Sequence, residues 1–181
     1  MQPDTETRLK AMLRSLREVI IPAIASDEKL AVDQANIVAA NIAMLIEQHD
    51  MQLHYLIAEL RDYRAFLQDL LEISATPASQ AVQKSRTLLD DLAPALDTKL
   101  PLPDELAQAL TRVKTAVDEQ VQTLLDGSDP QAVAAVTYLT FKYARPQLLR
   151  ERAWVAKAGF ELEPEKIPSL EELLSSENHQ R

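Results

Sequence analysis

Two of the three histidines, His49 and His54, lie near each other in the sequence. The acidic residues Glu47 and Asp50 lie beside them, and all four side chains are of types that bind metal ions. Asp50 and His54 are four residues apart and would share a helix face, but Glu47 and His49 do not converge with them. The Glu-x-x-His pairs of a di-iron bundle do not occur in the sequence. We therefore predict no metal site. A proton-handling role for His49 is the functional alternative, but we favour a buried polar residue that fixes the register of a helix pair.

A basic and aromatic segment, residues 138–157, is the best candidate for a ligand site. It contains one acid, Glu151, in a chain of net charge −9, and Pro146 lies where a helix N-terminus could add positive potential. Such a segment could bind an anionic amphipathic small molecule, for example an acyl thioester or a phosphorylated metabolite, or an acidic partner. The candidate ligand-binding residues are Tyr138, Lys142, Arg145, Arg150, Arg152 and Trp154.

The alternative is that these cations form ion pairs inside the chain with the acidic C-terminal residues, and we favour this alternative. The acids concerned are Glu161, Glu163, Glu165, Glu171 and Glu172. The acidic tail could also contact a protein partner.

Sequence motifs of catalysis are missing. There is no glycine-rich phosphate loop, no Gly-x-Ser-x-Gly elbow and no His-Glu-x-x-His pair. Neighbouring carboxylates such as Asp90 and Asp91 point in different directions on a helix, which is typical of a solvated surface. We predict no catalytic residues and no cofactor.

Composition excludes several classes of protein. The chain has no cysteine, so it forms no disulfides and no thiolate metal site. A net charge of −9 argues against general nucleic-acid binding, which needs clustered cations. The N-terminus is polar and lacks the apolar region of a signal peptide. The longest apolar window, residues 37–46, is too short to span a bilayer. We therefore expect a cytoplasmic protein that binds neither nucleic acid nor membrane.

The elements that would position these residues are helices. Glycine is rare, β-branched residues are sparse outside helical patterns, and no stretch alternates as a strand does. The sequence predicts an all-α protein, an antiparallel bundle of five to six helices in one domain over residues 1–160, followed by an acidic tail, 161–181. The predicted helices span about 4–24, 27–73, a segment after Thr76-Pro77, 103–125, 130–158 with a bend or division at Pro146, and 169–175.

The long predicted helix, 27–73, contains neither proline nor glycine. An apolar line with a mean period of about 3.5 residues runs through it, as in a supercoiled helix pair. Its predicted interface and register residues are His49, Leu53, Leu56, Leu60, Tyr63 and Leu67.

The length of this helix conflicts with a compact domain. A helix of about 45 residues is about 68 Å long, whereas a domain of 181 residues has a diameter of roughly 40 Å. Either the helix breaks near His49-Asp50, or it projects and pairs with a second chain. The unbroken apolar line favours continuity and a homodimer. Residues 35–46, where only Asn36 and Asn41 are polar, are expected to be buried on nearly all sides.

Two phrases near the N-terminus carry a family resemblance: Leu16-Arg17-Glu18-Val19-Ile20-Ile21-Pro22-Ala23-Ile24, and Leu30-Ala31-Val32-Asp33-Gln34-Ala35-Asn36-Ile37-Val38-Ala39-Ala40-Asn41. This first quarter of the chain resembles small, uncharacterised all-helical bacterial proteins, some encoded beside acyl-CoA dehydrogenase-like and phosphotransferase-like enzymes. The resemblance implies a helical bundle of unassigned activity with a link to acyl-CoA metabolism. It implies no site residues.

These observations favour a non-enzymatic, self-associating helical scaffold or accessory protein. The alternative is a binding protein or enzyme for an anionic amphipathic small molecule, with its groove along residues 138–157.

Overall fold

The computed structural model describes residues 4–73, 79–97, 102–127, 129–156 and 161–176. These residues are helical almost throughout and include no strand, which confirms the all-α helical bundle. The predicted restart at Thr76-Pro77 lies outside the described residues. The helices are α1 (Thr5–Ser15), α2 (Ile21–Ala23), α3 (Lys29–Gln48), α4 (Gln52–Glu72), α5 (Gln80–Asp97), α6 (Pro103–Asp126), α7 (Pro130–Val155) and α8 (Leu170–Ser176).

The first helical segment contains a π-helical turn, Leu16–Ile20, between α1 and α2. Asp4 caps its start, since its Oδ1 accepts the backbone N–H of Thr7 at 2.7 Å. In the turn, the N–H of Ile21 donates to the carbonyl of Leu16, five residues back. The wider turn immediately precedes Pro22, which has no N–H to continue the helical pattern.

The long helix predicted over residues 27–73 is two helices, so the favoured continuity is wrong and the alternative break is present. α3 ends before His49 and α4 starts after Met51. The N–H of Met51 donates to the carbonyl of Gln48 at 2.9 Å, which closes a tight turn instead of a further helical turn. Two helices of 20 and 21 residues, each about 30 Å long, remove the length conflict.

The described residues cluster into two compact units. The first unit comprises residues 4–52, 151–156 and 161–172, and the second comprises residues 53–73, 79–97, 102–127, 129–150 and 173–176. In the first unit, α1 packs against α3. Residues 161–172, expected from the sequence to belong to a separate tail, are part of this unit.

The second unit is built around the apolar stripe of α6. The apolar residues of α6 recur every three or four positions, as in an amphipathic helix, and those at 106, 110, 113, 117 and 124 are buried. At the end of α6, Gly127 has φ −65°, so it does not adopt the left-handed conformation that is common for a glycine after a helix. The fully buried apolar side chains of the unit are Leu60, Leu67, Leu70, Val82, Leu92, Leu106 and Val113.

The apolar line predicted as an interchain seam is used inside the second unit. Leu60 and Leu67 are 0% exposed, while Leu53, Leu56 and Tyr63 are partly buried against the same core. Leu60 and Leu67 are therefore not available to a second chain, because α4 finds apolar partners for them within its own unit. The predicted interface and the homodimer itself stay predictions.

α3 is far more exposed than its composition predicts. Among its residues only Ala39 and Gln48 are buried, so the expectation that residues 35–46 are enclosed on nearly all sides is wrong. The apolar stretch of α3, Lys29–Gln48, is longer than residues 37–46, the apolar window identified from the sequence. Within the part of the chain that the structure describes, α3 alone is long and apolar enough, by length and composition only, to cross a membrane.

Candidate functional site

Most of the basic and aromatic segment predicted to bind a ligand lies on α7, and in the second unit its Lys142 and Arg150 face acidic residues of α4. Lys142 Nζ and the hydroxyl of Tyr143 both donate to Asp69 Oδ2, each at 2.8 Å. The ring of Tyr143 stacks on Phe66, with centroids 4.9 Å apart. The segment therefore serves as a packing face at this level of the bundle.

Arg150 makes the most buried ion pair of this contact. Its side chain is 1% exposed and its Nη2 donates to Asp62 Oδ2, while the Asp62 side chain is 27% exposed. A charge buried to this extent requires a partner of opposite sign, because transfer of an isolated ion out of water costs several kcal/mol. Arg150 is thus held inside the bundle and is not presented to a solvent-borne anion.

α6 adds a second pair beside this contact. Lys114 Nζ lies 2.6 Å from Oε1 of the buried Glu59, which also accepts a long hydrogen bond of 3.4 Å from Gln147 Nε2. Lys114 also lies over the ring of Tyr63, 5.0 Å from its centroid. The buried Glu59 therefore has partners from both α6 and α7.

The Asp69 contact shifts the pKa of both its donors upward. The hydrogen bond to Asp69 is the main cause of the raised pKa of Lys142. The pKa of Tyr143 is raised chiefly by burial of its phenol and also by its hydrogen bond to Asp69. Both groups therefore keep their protons in the neutral range, as a structural contact requires.

Arg152 shows the pairing with the acidic tail that we favoured from the sequence. In the first unit its Nε and Nη2 donate to the two carboxylate oxygens of Glu161, at 2.9 and 3.0 Å. The hydrogen bond to Glu161 raises the pKa of Arg152, and its counterpart lowers the pKa of Glu161. Lys142 and Arg150, in the second unit, pair with α4 instead.

The remaining candidates on α7 point outward. Tyr138 is 68% exposed, and Arg145 is exposed on the same helix. Phe141 and Leu148 are also largely exposed. Helical spacing places all four on one outer face of α7. Of the bend or division predicted at Pro146, the division is absent, because α7 continues through this residue.

His49 makes local contacts. Its Nδ1 lies 3.0 Å from the carbonyl oxygen of Ile46, and its Nε2 lies 3.1 Å from Oδ1 of Asp50. The ring therefore stabilises the turn after α3, and the predicted register contact with a second helix is not observed. No group of three or more metal-binding side chains occurs among residues 4–73, 79–97, 102–127, 129–156 and 161–176.

Trp154 lies beside a cavity in the first unit that the sequence did not reveal. The cavity measures about 610 Å³ and is bounded by α3, the last turn of α7, the π-helical turn and residues 164–171. This volume falls within the range of small-molecule sites. Most of its lining is apolar, while Arg17, Glu47 and Glu171 contribute charge.

A partly buried hydrogen bond fixes one wall of this cavity. Gln48 is 8% exposed, and its Nε2 donates to the backbone carbonyl of Trp154 at 2.6 Å. The carbonyls in the last turn of a helix have no partner within the helix, so this side chain supplies the donor that α7 lacks. Gln48 thereby joins the end of α3 to the end of α7 inside the first unit.

Sequence reasoning missed Arg17 because nothing in its spacing distinguishes it from other surface cations. The structural signal for Arg17 is the π-helical turn that contains it, a feature that frequently marks functional sites.

Comparisons with protein-family models, with curated proteins and with solved structures found no match to this chain.

Proposed function

We propose that the protein is a non-enzymatic helical accessory protein that associates with a second copy of itself through α3. The observation that carries this proposal is the exposure of a predominantly apolar helix. Leu30 is 73% exposed, Ile37 and Val38 are about half exposed at 53% and 50%, and Leu45 is 48% exposed. Covering such side chains is the main driving force for association.

These four side chains lie on one side of α3. At 100° per residue, positions 30, 37, 38 and 45 fall within about 100° of each other. Gln34 and Asn41, seven residues apart, lie on the same side and are exposed. A polar residue within an apolar helix face can fix the register of a helix pair, the role first assigned to His49.

The first unit exposes further apolar side chains. Met12, Val19 and Ile20, from α1 and the π-helical turn, are each more than half exposed in this unit. With the four residues of α3 they make seven large apolar side chains that are about half exposed or more. Burial of such side chains against a second chain is favourable.

Several further properties belong to this proposal. We propose a cytoplasmic homodimer that does not act on nucleic acid, consistent with the net charge of −9. A protein partner contacted through the acidic C-terminal residues stays part of the proposal.

Light scattering coupled to size exclusion tests the proposal. The wild-type chain is expected to be a dimer at tens of micromolar, and Ile37→Gln/Leu45→Gln is expected to be a monomer. A matched double variant on the outer face of α7, Phe141→Gln/Leu148→Gln, removes comparable apolar surface and should remain a dimer. A monomeric wild type, or loss of the dimer in the α7 variant alone, would overturn the proposal.

Vesicle sedimentation separates association from membrane binding. The dimer proposal expects the wild-type chain to stay in the supernatant with vesicles of phosphatidylcholine and phosphatidylglycerol. Sedimentation of a monomeric wild type, abolished by Ile37→Gln/Leu45→Gln, would assign the face of α3 to a bilayer and would refute self-association.

A further inference from the structure

We propose that the cavity beside Trp154 binds a small amphipathic molecule with an apolar body and a zwitterionic head group. The apolar body is matched by the walls: Met44 and Met51 supply flexible, polarisable side chains, and Ile167 and Pro168 close the other side. Cavities of about 610 Å³ with apolar walls and a few polar groups are the usual form of small-molecule sites.

The charges of the lining determine the head group. One guanidinium, Arg17, and two carboxylates, Glu47 and Glu171, line the cavity. A purely anionic head would meet more negative than positive charge, and a cationic head would leave Arg17 without a counterpart in the site. A head group with both charges can contact the guanidinium through its anionic group and a carboxylate through its cationic group. The indole of Trp154 offers a further surface for a quaternary ammonium.

Two sets of contacts order the cavity wall formed by residues 161–169. At its start, Arg152 and Glu161 form the two-pronged ion pair that joins this segment to the end of α7. At its other end Ser169 and Glu172 form a local capping box: the Ser169 N–H donates to Glu172 Oε2 at 2.9 Å and the Glu172 N–H donates to Ser169 Oγ at 3.2 Å. The wall is thus joined to α7 at one end and has a fixed local backbone at the other.

This site borders the proposed dimer face. Ala40, Ala43 and Met44 line the cavity, and helical geometry places them about 60°, 120° and 20° around α3 from Ile37. Another side of the helix contains the buried Ala39. The ligand proposal does not require self-association, because the lining residues of the cavity all belong to one chain.

The single tryptophan of the chain provides the assay. Decylphosphocholine, used below its micelle-forming concentration, is expected to change Trp154 fluorescence in a saturable way. Decanoate, decyltrimethylammonium and decyl maltoside share the tail length and test the head group. Each is expected to bind at least several-fold more weakly than the zwitterion.

Variants locate the binding. Ala43→Leu fills the cavity and should abolish the fluorescence response. Arg17→Gln should weaken binding about tenfold, the value of one charge-assisted hydrogen bond. Arg14→Gln, which removes an exposed cation paired with Glu18 at 2.9 Å, is the matched control and should bind as the wild type does.

Three results would overturn the proposal. The first is the absence of a saturable response to any of the four probes. The second is a response that survives Ala43→Leu but is lost in Ile37→Gln/Leu45→Gln, which would place the tail on the outer face of α3. The third is tighter binding of decanoate or decyltrimethylammonium than of decylphosphocholine, which would refute the zwitterionic head group. Circular dichroism of Ala43→Leu establishes that a lost response does not reflect unfolding.

Discussion

Replacement of Asp62 by alanine should strongly destabilise the second unit, because it leaves Arg150 as a buried cation without this carboxylate. The Arg150 side chain is 1% exposed, so water cannot take the place of the lost oxygen. Removal of one partner of a buried ion pair costs about 3–5 kcal/mol. Since Arg150 retains other interactions, we expect the lower end, about 3 kcal/mol.

The converse substitution should cost less. Arg150→Met keeps most of the buried volume and leaves Asp62, whose side chain is 27% exposed, able to reach water. We expect a loss of about 1–2 kcal/mol. The exposed pair Lys84–Glu119, with side chains 73% and 48% exposed, provides the control, and Lys84→Gln should change the free energy of unfolding by less than about 0.5 kcal/mol.

Urea unfolding followed by far-ultraviolet circular dichroism measures these effects. With a dependence on urea of about 1.5 kcal/mol per molar, Asp62→Ala should lower the midpoint of the second unit by about 2 M. Tryptophan fluorescence reports separately on the surroundings of Trp154, in the first unit. We argue that removing Asp62 lowers the free energy of unfolding more than removing Arg150, because Arg150 is the more deeply buried partner. An Arg150→Met variant that is less stable than Asp62→Ala would refute this argument.

Three further predictions concern other contacts. Leu67→Ala should lower the free energy of unfolding of the second unit by about 3 kcal/mol, because a fully buried leucine leaves a cavity; calorimetry would show the change, and a loss below about 1 kcal/mol would contradict the burial. Gln48→Leu leaves the carbonyl of Trp154 without its donor, so tryptophan emission should shift to the red and the first unit should unfold at lower urea; unchanged emission would argue against the contact. The raised pKa of Tyr143 means that the folded state holds this proton more tightly, so its contribution to stability is present below about pH 10 and is lost as the pH rises through the folded pKa. Tyr143→Phe should flatten the loss of stability above pH 10 in alkaline melts, and an unchanged pH dependence would refute this origin.

The sequence predicted α6 well because every element of its signal is local. Its proline start at Pro103 and its apolar period of three and four residues require no knowledge of neighbouring helices. The burial of Leu106 and Val113 followed from that period alone.

The predictions from sequence were wrong where the structure depends on contacts between helices. The apolar line through α3 and α4 continues in phase across His49, so periodicity alone gives no sign of the turn that local hydrogen bonds form there. Composition predicted burial for α3, but burial depends on how many neighbours surround a helix. The charges of residues 138–157 were evident, whereas the choice of Asp62 and Asp69 as their partners depends on α4 lying beside α7.

The hydrogen bond from Gln48 to residue 154 does not depend on which side chain residue 154 has, because the acceptor is a main-chain oxygen. Substitution of Trp154 by phenylalanine or leucine leaves the acceptor in place, so the joint between the ends of α3 and α7 tolerates change at this position. A change at Gln48 removes the joint whatever side chain stands opposite. Gln48 thus determines how the ends of α3 and α7 are joined, whereas the side chain at position 154 determines the chemistry of the cavity wall. A related sequence can change the side chain at position 154 and still keep the joint.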